Sequence, residues 1–259
     1  MNIQKYVLNL AKKLKNNNLT IGAWITIYNP SIAEIFANAG FDWVVIDLEH
    51  SSINLSEAEN LIRVVELSGA TPLVRLTSND SDQIKRVMDA GSHGVIVPMV
   101  KTLKDVQNAI NSVKYPPVGV RGVGLARAQR WGNEFDNYLK WLENDSIIIV
   151  QIEHIEAVDN LDEIFSSDGV NGYIIGPYDL SSSMNMPGDF TNPDFIKVIE
   201  KIRNKAHEHN LCGGIHIVEP NIEELHERIS EGYKFIAYSL DTRILDSASR
   251  NALSSLNQK

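Results

Sequence analysis

The chain has 259 residues, 43% of them hydrophobic, and a formal net charge of -9 at pH 7. That is enough for one large domain or two small ones with a sizeable core, and the acidic balance excludes nucleic acid or an anionic membrane surface as the natural partner while leaving magnesium-like cations compatible. Cys212 is the only cysteine, so the chain makes no internal disulfide and no thiolate zinc site.

No apolar run approaches the roughly 20 residues of a membrane span. Met1 to Asn18 is rich in Lys and Asn and lacks a signal peptide's apolar core. A cytoplasmic protein is expected. In that first stretch Ile3, Val7, Leu8 and Leu14 recur at helical spacing, which predicts a leading helix. Leu19 to Ile27 reads as a strand containing Trp24. Ser31 to Ala39 is a short helix with Ser31 as N-cap and Gly40 closing it. A strand follows over Phe41 to Asp47. Ser56 to Leu67 is amphipathic, with Ala58, Leu61, Ile62 and Val65 on one face. Thr71 to Leu76 is a strand, Asp82 to Ala90 a helix closed by Gly91, and Gly94 to Val97 a strand stopped by Pro98.

The rhythm continues. Leu103 to Val113 reads as a helix. Tyr115 to Glu134 is rich in Pro, Gly and Arg, too long for an ordinary connection, and long loops of compact folds are often functional. Phe135 to Leu142 is a helix, Ser146 to Ile152 the most apolar strand, Ala157 to Ile164 a helix, and Gly172 to Ile175 a strand running into Gly176-Pro-Tyr-Asp179. Then come a helix over Phe195 to His209, a strand over Cys212 to Ile217, a helix over Ile222 to Ser230, a strand over Phe235 to Ser239 and a last helix over Arg243 to Leu256. About eight strand-helix units without a composition break predict an α/β fold, a single (β/α)8 TIM-barrel domain over residues 1–259 with a leading N-terminal helix. A doubly wound open sheet is the runner-up, but its glycine fingerprint after the first strand is missing, with only Gly22 inside that strand.

The polar residues cluster at strand ends. Val44-Val-Ile-Asp47 is an apolar run that stops abruptly in Asp47, Glu49 and His50, and charge beside a buried strand is costly to a core. Alternation sends Asp47 and Glu49 to one face and His50 to the other, unless the chain has left the strand. In a barrel the C-terminal mouth also collects Arg75, Gln151, Glu153 and Asp179, with His216 inside the seventh strand. Glu153 and Asp179 follow consecutive strands, so both carboxylates can face one magnesium or manganese ion. Each alone is as well explained as a first-turn acid answering a helix dipole. Arg75 is either a structural partner of Asp47 or Asp89, or a planar fork for a carboxylate or enolate oxygen. His50 is either a capping histidine or a base that titrates near neutral pH.

At these residues the chain resembles the HpcH/HpaI aldolases, metal-dependent pyruvate aldolases. The resemblance runs from about Ile21 to about Leu245. It rests on Gly40-Phe-Asp-Trp-Val-Val-Ile-Asp-Leu-Glu-His50, Val74-Arg75 with Asn79-Asp80, Gln83-Ile-Lys85 with Asp89-Ala-Gly91, and Val97-Pro-Met-Val100. Tyr115-Pro-Pro117, Gly119-Val-Arg-Gly-Val-Gly124, Gln151-Ile-Glu153 and Ile175-Gly-Pro-Tyr-Asp-Leu-Ser181 complete it.

The resemblance implies a carbon-carbon lyase that cleaves a 4-hydroxy-2-oxo acid to pyruvate and an aldehyde. It implies a divalent cofactor, Mg2+, Mn2+ or Co2+, on Glu153 and Asp179, with Gln151 beside it and the backbone of Gly176, Pro177 and Tyr178 to Asp179 receiving the pyruvate carboxylate. Arg75 would steady the enolate oxygen, and His50, paired with Asp89, would be the base. Homo-oligomers, often hexamers that exchange the last helix, are common in the family. Three departures bear on the aldehyde: Ser51-Ser52 where many members have Ala-Pro after the Glu-His, a loop from Gly124 to Trp131 shorter than in the family's heptanedioate enzymes, and His216 where those enzymes carry an aliphatic residue. They point to a hydroxylated acceptor. The competing functions are a lyase acting on an acyl-CoA ester, which would need a basic groove from Arg121, Arg127 and Arg130, and a non-catalytic binding protein on the same barrel.

Overall fold

The computed structural model describes residues 4–254, with side chains from residue 10. Ile3 of the expected leading helix, Leu256 of the expected last helix and the side chains of Val7 and Leu8 lie outside the described residues. The chain opens with α1 (Gln4–Lys15), β1 (Thr20–Ile25), α2 (Pro30–Ala39), β2 (Trp43–Asp47), α3 (Leu55–Leu67), β3 (Thr71–Arg75), α4 (Ser81–Asp89), β4 (Gly94–Val97) and α5 (Leu103–Val113). It continues with α6 (Phe135–Asp145), β5 (Ile147–Ile152), α7 (Ile155–Asp159), α8 (Leu161–Phe165), β6 (Gly172–Ile175) and α9 (Pro177–Ser183). It ends with α10 (Pro193–Glu208), β7 (Cys212–Ile217), α11 (Ile222–Ser230), β8 (Phe235–Leu240) and α12 (Asp241–Ser254).

The strands pair in parallel in chain order, and β8 pairs with β1 to close the barrel. Parallel strands are covered on both faces, which is why they read as unbroken apolar runs. One core lies between barrel and helices, where Val44, Ile46, Val74 and Val95 meet Ala58, Leu61, Ile62 and Ile84. The other fills the barrel itself with Trp24, Trp43, Val45, Leu73, Ile96, Ile149 and Phe235. Leu10, Ala11 and Leu14 of α1 join this inner core, so the leading helix plugs one end. Inside, Trp43 stacks on Phe235 with ring centroids 4.0 Å apart. A side chain at Gly22 would strike the Trp43 ring at 2.1 Å, so that strand glycine is a packing requirement.

Three local readings need correction. Asn29, not Ser31, caps α2: its side chain accepts from the Ser31 amide, and Pro30 occupies the first helical position. The helix expected over Ala157 to Ile164 is two, α7 and α8, parted at Asn160, whose side chain donates to Lys101 O and Glu156 O. The Gly176-Pro-Tyr-Asp179 run opens a short helix, α9, which fixes Asp179 in its first turn.

The long loop after α5 lies on the rim opposite the mouth, because α5 runs back to the strands' N-terminal ends. There Arg121 donates to Val113 O and the Tyr138 hydroxyl, and Arg127 bonds Glu66 and Ala90 O.

Candidate active site

β2 delivers Asp47 to the mouth, where it is 1% exposed. Four donors meet its carboxylate: Arg75 Nε at 2.8 Å and Nη2 at 2.7 Å, and the amides of Glu49 at 3.0 Å and His50 at 3.4 Å. The chain therefore leaves the strand immediately after Asp47, in a turn closed by that residue's own side chain, and strand alternation does not decide where Glu49 and His50 point. Glu49 Oε2 lies 3.1 Å from Arg75 Nη1. The His50 imidazole stands out into solvent, 4.0 Å from Glu49 Oε2, with its side chain 65% exposed.

Arg75 thus makes the ion pair with Asp47 that the sequence left open. The fork uses Nε and Nη2, and Nη1 is turned toward Glu49. The two readings of Arg75 are compatible: Asp47 holds the guanidinium in one orientation while the side chain lines the cavity.

β5 delivers Gln151 and Glu153. Gln151 Nε2 donates to Glu153 Oε2, and the Met99 amide donates to Oε1 at 2.6 Å. Met99 sits at φ 53°, a left-handed conformation uncommon for a residue with a side chain, and the strain turns its amide onto Glu153. Gly176 is the other half of this cradle. A side chain there would come within 2.8 Å of Glu153 Oε2 and 3.2 Å of Gln151 Nε2.

Electrostatically the mouth is short of positive charge. Burial raises Glu153 to about 7 against the lowering effect of the Met99 and Gln151 bonds, with Glu49 and Asp179 adding repulsion. Burial likewise raises Glu49 to about 7, opposed by Arg75 and reinforced by Asp47 and Asp179. Two raised carboxylates, Glu49 and Glu153, with the Asp179 charge acting on both, leave an excess of negative charge that a divalent cation would relieve. Gln151 Oε1, a buried acceptor with no partner, adds a neutral oxygen. Among the described residues no group of three or more His, Cys, Asp and Glu converges as a closed metal cage. A two-carboxylate site completed by water and substrate is the arrangement the residues fit.

A cavity of about 270 Å3 opens at this mouth. Of the ten site residues expected from the sequence, eight line it: His50, Arg75, Gln151, Gly176, Pro177, Tyr178, Asp179 and His216. Glu153 lies behind them, 2% exposed. Asp89 does not belong to this group. It ends α4, on the opposite rim, where its carboxylate lies 3.7 Å from Arg121 and is raised by burial against that charge. One chain does not form the expected His50–Asp89 pair, because α4 runs antiparallel to the strands and carries its last residue away from the mouth. Glu49, Met99 and Trp24 are the site residues that sequence reasoning left without a role, and Asp47 had one only as an alternative partner of Arg75. The polar break at the end of β2 signalled Asp47 and Glu49, whereas nothing in Val97-Pro-Met-Val100 announces the Met99 backbone.

Carboxylates, a forked guanidinium and an exposed imidazole around a small cavity at the C-terminal mouth of a (β/α)8 barrel define the class, a barrel enzyme for a small, oxygen-rich substrate. The sequence model of HpcH/HpaI aldolase/citrate lyase matches residues 20–248. The chain is 37% identical over 235 residues to a 4-hydroxy-2-oxo-heptane-1,7-dioate aldolase of Escherichia coli, covering 90% of this chain and 88% of the relative. It is 33% identical over 230 residues to a 2-keto-3-deoxy-L-rhamnonate aldolase of Klebsiella pneumoniae, covering 88% and 85%. Among solved structures, an HpcH/HpaI aldolase/citrate lyase family protein of Burkholderia cenocepacia superposes with a TM-score of 0.90 at 27% identity, covering 96% of this chain and 99% of the other. The chain belongs to the HpcH/HpaI aldolase/citrate lyase family.

Proposed function

We propose that the protein is a metal-dependent class II aldolase that reversibly cleaves a 4-hydroxy-2-oxo acid to pyruvate and an aldehyde. The observation that carries this reading is the gathering of His50, Arg75, Gln151, Asp179 and the Gly176–Tyr178 backbone around one cavity with Glu153 behind it. Glu153 and Asp179 hold the divalent ion, Mg2+, Mn2+ or Co2+, with Gln151 Oε1 beside them. When bound, that ion is the Lewis acid that lowers the cost of forming an enolate from a neutral ketone.

The chain's own residues do the rest. The backbone of Gly176 to Tyr178 receives the pyruvate carboxylate. Arg75, clamped by Asp47, presents Nη1 to the oxygen on which enolate charge develops. His50 takes the proton from the pyruvate methyl in the synthetic direction and returns it in cleavage.

The Asp89 carboxylate reaches a His50 imidazole only when the rim of one copy meets the mouth of another. An intermolecular pair therefore completes the base in a homo-oligomer, a hexamer being the family's common form. The protein acts in the cytoplasm as a single barrel domain.

An acyl-CoA lyase is disfavoured. Two of the three arginines that would have to bind the nucleotide phosphates are consumed on the far rim, Arg121 by Tyr138 and Val113 O and Arg127 by Glu66.

The test combines chemistry and assembly. With Mn2+ and pyruvate in deuterated water, the wild type exchanges methyl protons, and a chelator stops the exchange. His50→Ala and Asp89→Ala are each impaired alone. Co-refolded as a random mixture, they regain exchange at roughly a quarter of the sites if the pair is shared between copies. Exchange by wild type that a chelator does not touch would end the metal reading. A mixture no better than its parts would end the shared pair.

A further inference from the structure

Inward positions near the top of a barrel strand are apolar unless they serve the site. On the cavity wall built by β7, β8 and the end of β1, Val218 and Leu240 obey that rule and His216 does not. The His216 imidazole stacks on Trp24 with ring centroids 5.0 Å apart and planes 9° from parallel. The Arg75 guanidinium carbon lies 4.3 Å from the same indole ring centre. Strands β7 and β3 each lie one strand beyond the neighbours of β1, on its two sides in the closed barrel, so imidazole and guanidinium reach the indole from different strands. His216 cannot turn freely in this stack.

Its hydrogen bonding is one-sided. Nε2 is buried and has no partner. The other nitrogen faces the Ser239 backbone, a contact that favours the protonated ring and is therefore one in which the ring donates. Ser239 is itself fixed, at φ 60° and with its hydroxyl on Val218 O at 2.8 Å. Burial, then the charge of Arg75, draws the imidazole down to about 4, so the ring is neutral near pH 7. A neutral imidazole that donates through Nδ1 carries a lone pair on Nε2. Trp24 Nε1, a donor, is also buried and unpartnered. Unmet polar groups of this kind are costly in a protein interior and are satisfied when the right ligand arrives.

The chemistry of the substrate decides which half they read. Every polar atom of pyruvate is an oxygen acceptor, and an enolate is a stronger one, so Nε2 has nothing to accept from that half. We propose that His216 Nε2 accepts a hydrogen bond from a hydroxyl on the aldehyde half of the substrate, making His216 the residue that selects hydroxylated aldehydes over aliphatic or carboxylate-tailed ones. The inference rests on the aldolase reading above. A hydroxyl can also accept from Trp24 Nε1. A methyl group satisfies neither atom, and a carboxylate meets the Nε2 lone pair with its own.

The experiment measures kcat/KM for addition of pyruvate, with Mn2+, to glyceraldehyde, propanal and succinic semialdehyde, and separately pyruvate methyl exchange in deuterated water. The wild type is expected to prefer glyceraldehyde over propanal, which has the same carbon count. His216→Leu loses about tenfold of that preference, and His216→Gln, which restores an acceptor, keeps part of it. Circular dichroism and thermal melting establish that the variants are folded. An unchanged glyceraldehyde-to-propanal ratio in folded His216→Leu would overturn the proposal, as would a parallel loss of methyl exchange, which would place His216 on the pyruvate half. A wild type that neither exchanges nor condenses would instead remove the aldolase reading, and this one with it.

Discussion

The two rims of the barrel bury charge in opposite ways. On the N-terminal rim, Glu66 is bonded by Arg127 and lies 3.6 Å from His93 Nε2. Burial alone would raise its carboxyl, but the His93 bond and charge and then Arg127 outweigh burial and hold it at about 2. At the C-terminal mouth, Glu49 and Glu153 are raised to about 7 because burial and neighbouring carboxylates exceed what Arg75, Gln151 and the Met99 amide supply. A saturated carboxylate contributes to stability. An under-compensated one is costly until a cation or substrate arrives, and such imbalance marks a binding site.

The comparison breaks most visibly at Glu153. Glu153→Gln keeps the side chain's size and removes one carboxylate from the group of three. It is expected to lower metal-dependent turnover on the order of 10³-fold or more. Calorimetric titration with Mn2+ should show weaker binding while the melting temperature without metal holds or rises. Unchanged Mn2+ affinity would remove Glu153 from the ligand set.

Arg75→Lys tests the same mouth more gently. Lysine keeps the charge but cannot hold both Asp47 oxygens while presenting a third nitrogen. A loss of about 10²-fold in kcat/KM is expected. Its size should be similar in methyl exchange and in aldol addition, because Arg75 serves the half-reaction common to both. A variant within about twofold of wild type would make Arg75 purely a structural partner of Asp47.

The smallest effect on activity belongs to the far rim. Glu66→Gln should leave turnover nearly unchanged and act on acid stability. The folded-state value of about 2 lies below the ordinary glutamate value of about 4.5. The ionised group's contribution is therefore fully present above about 4.5 and disappears as pH falls toward about 2. Denaturant unfolding at several pH values should show the wild type more stable by on the order of 3 kcal/mol at neutral pH. The gap should narrow on acidification below about 4.5. A gap that stays constant down to the acid limit would show that packing, not charge, makes the difference.

Much of this molecule was legible in the chain. Local chemistry fixes the elements: Gly94 to Val97, Gly172 to Ile175 and Cys212 to Ile217 are strands with the bounds their apolar runs suggested, and Leu103 to Val113 and Ile222 to Ser230 are helices with theirs. Each lies between clear stop signals, and a strand covered on both faces has little choice of pattern. The rhythm of strand and helix leads to the barrel, and the barrel makes every polar strand end a candidate for one mouth.

Tertiary structure decided what spacing along a chain cannot carry. Asp47 bends the chain off its strand by accepting two amides of its own turn, so the direction of His50 was not set by alternation. Met99 reaches Glu153, at the end of another strand, through a backbone conformation that its side chain does not favour. Asp89 stands in a familiar motif yet ends its helix on the far rim, because helix and strand run in opposite directions. The imidazole of His216 is driven neutral by burial and then by Arg75, while Trp24 stacks on it and Ser239 takes one side, groups that come from three other strands. Sequence carries local preference and the order of the elements, whereas the meeting of groups far apart in the chain, and the charge state that burial imposes on them, exist only once the barrel has closed.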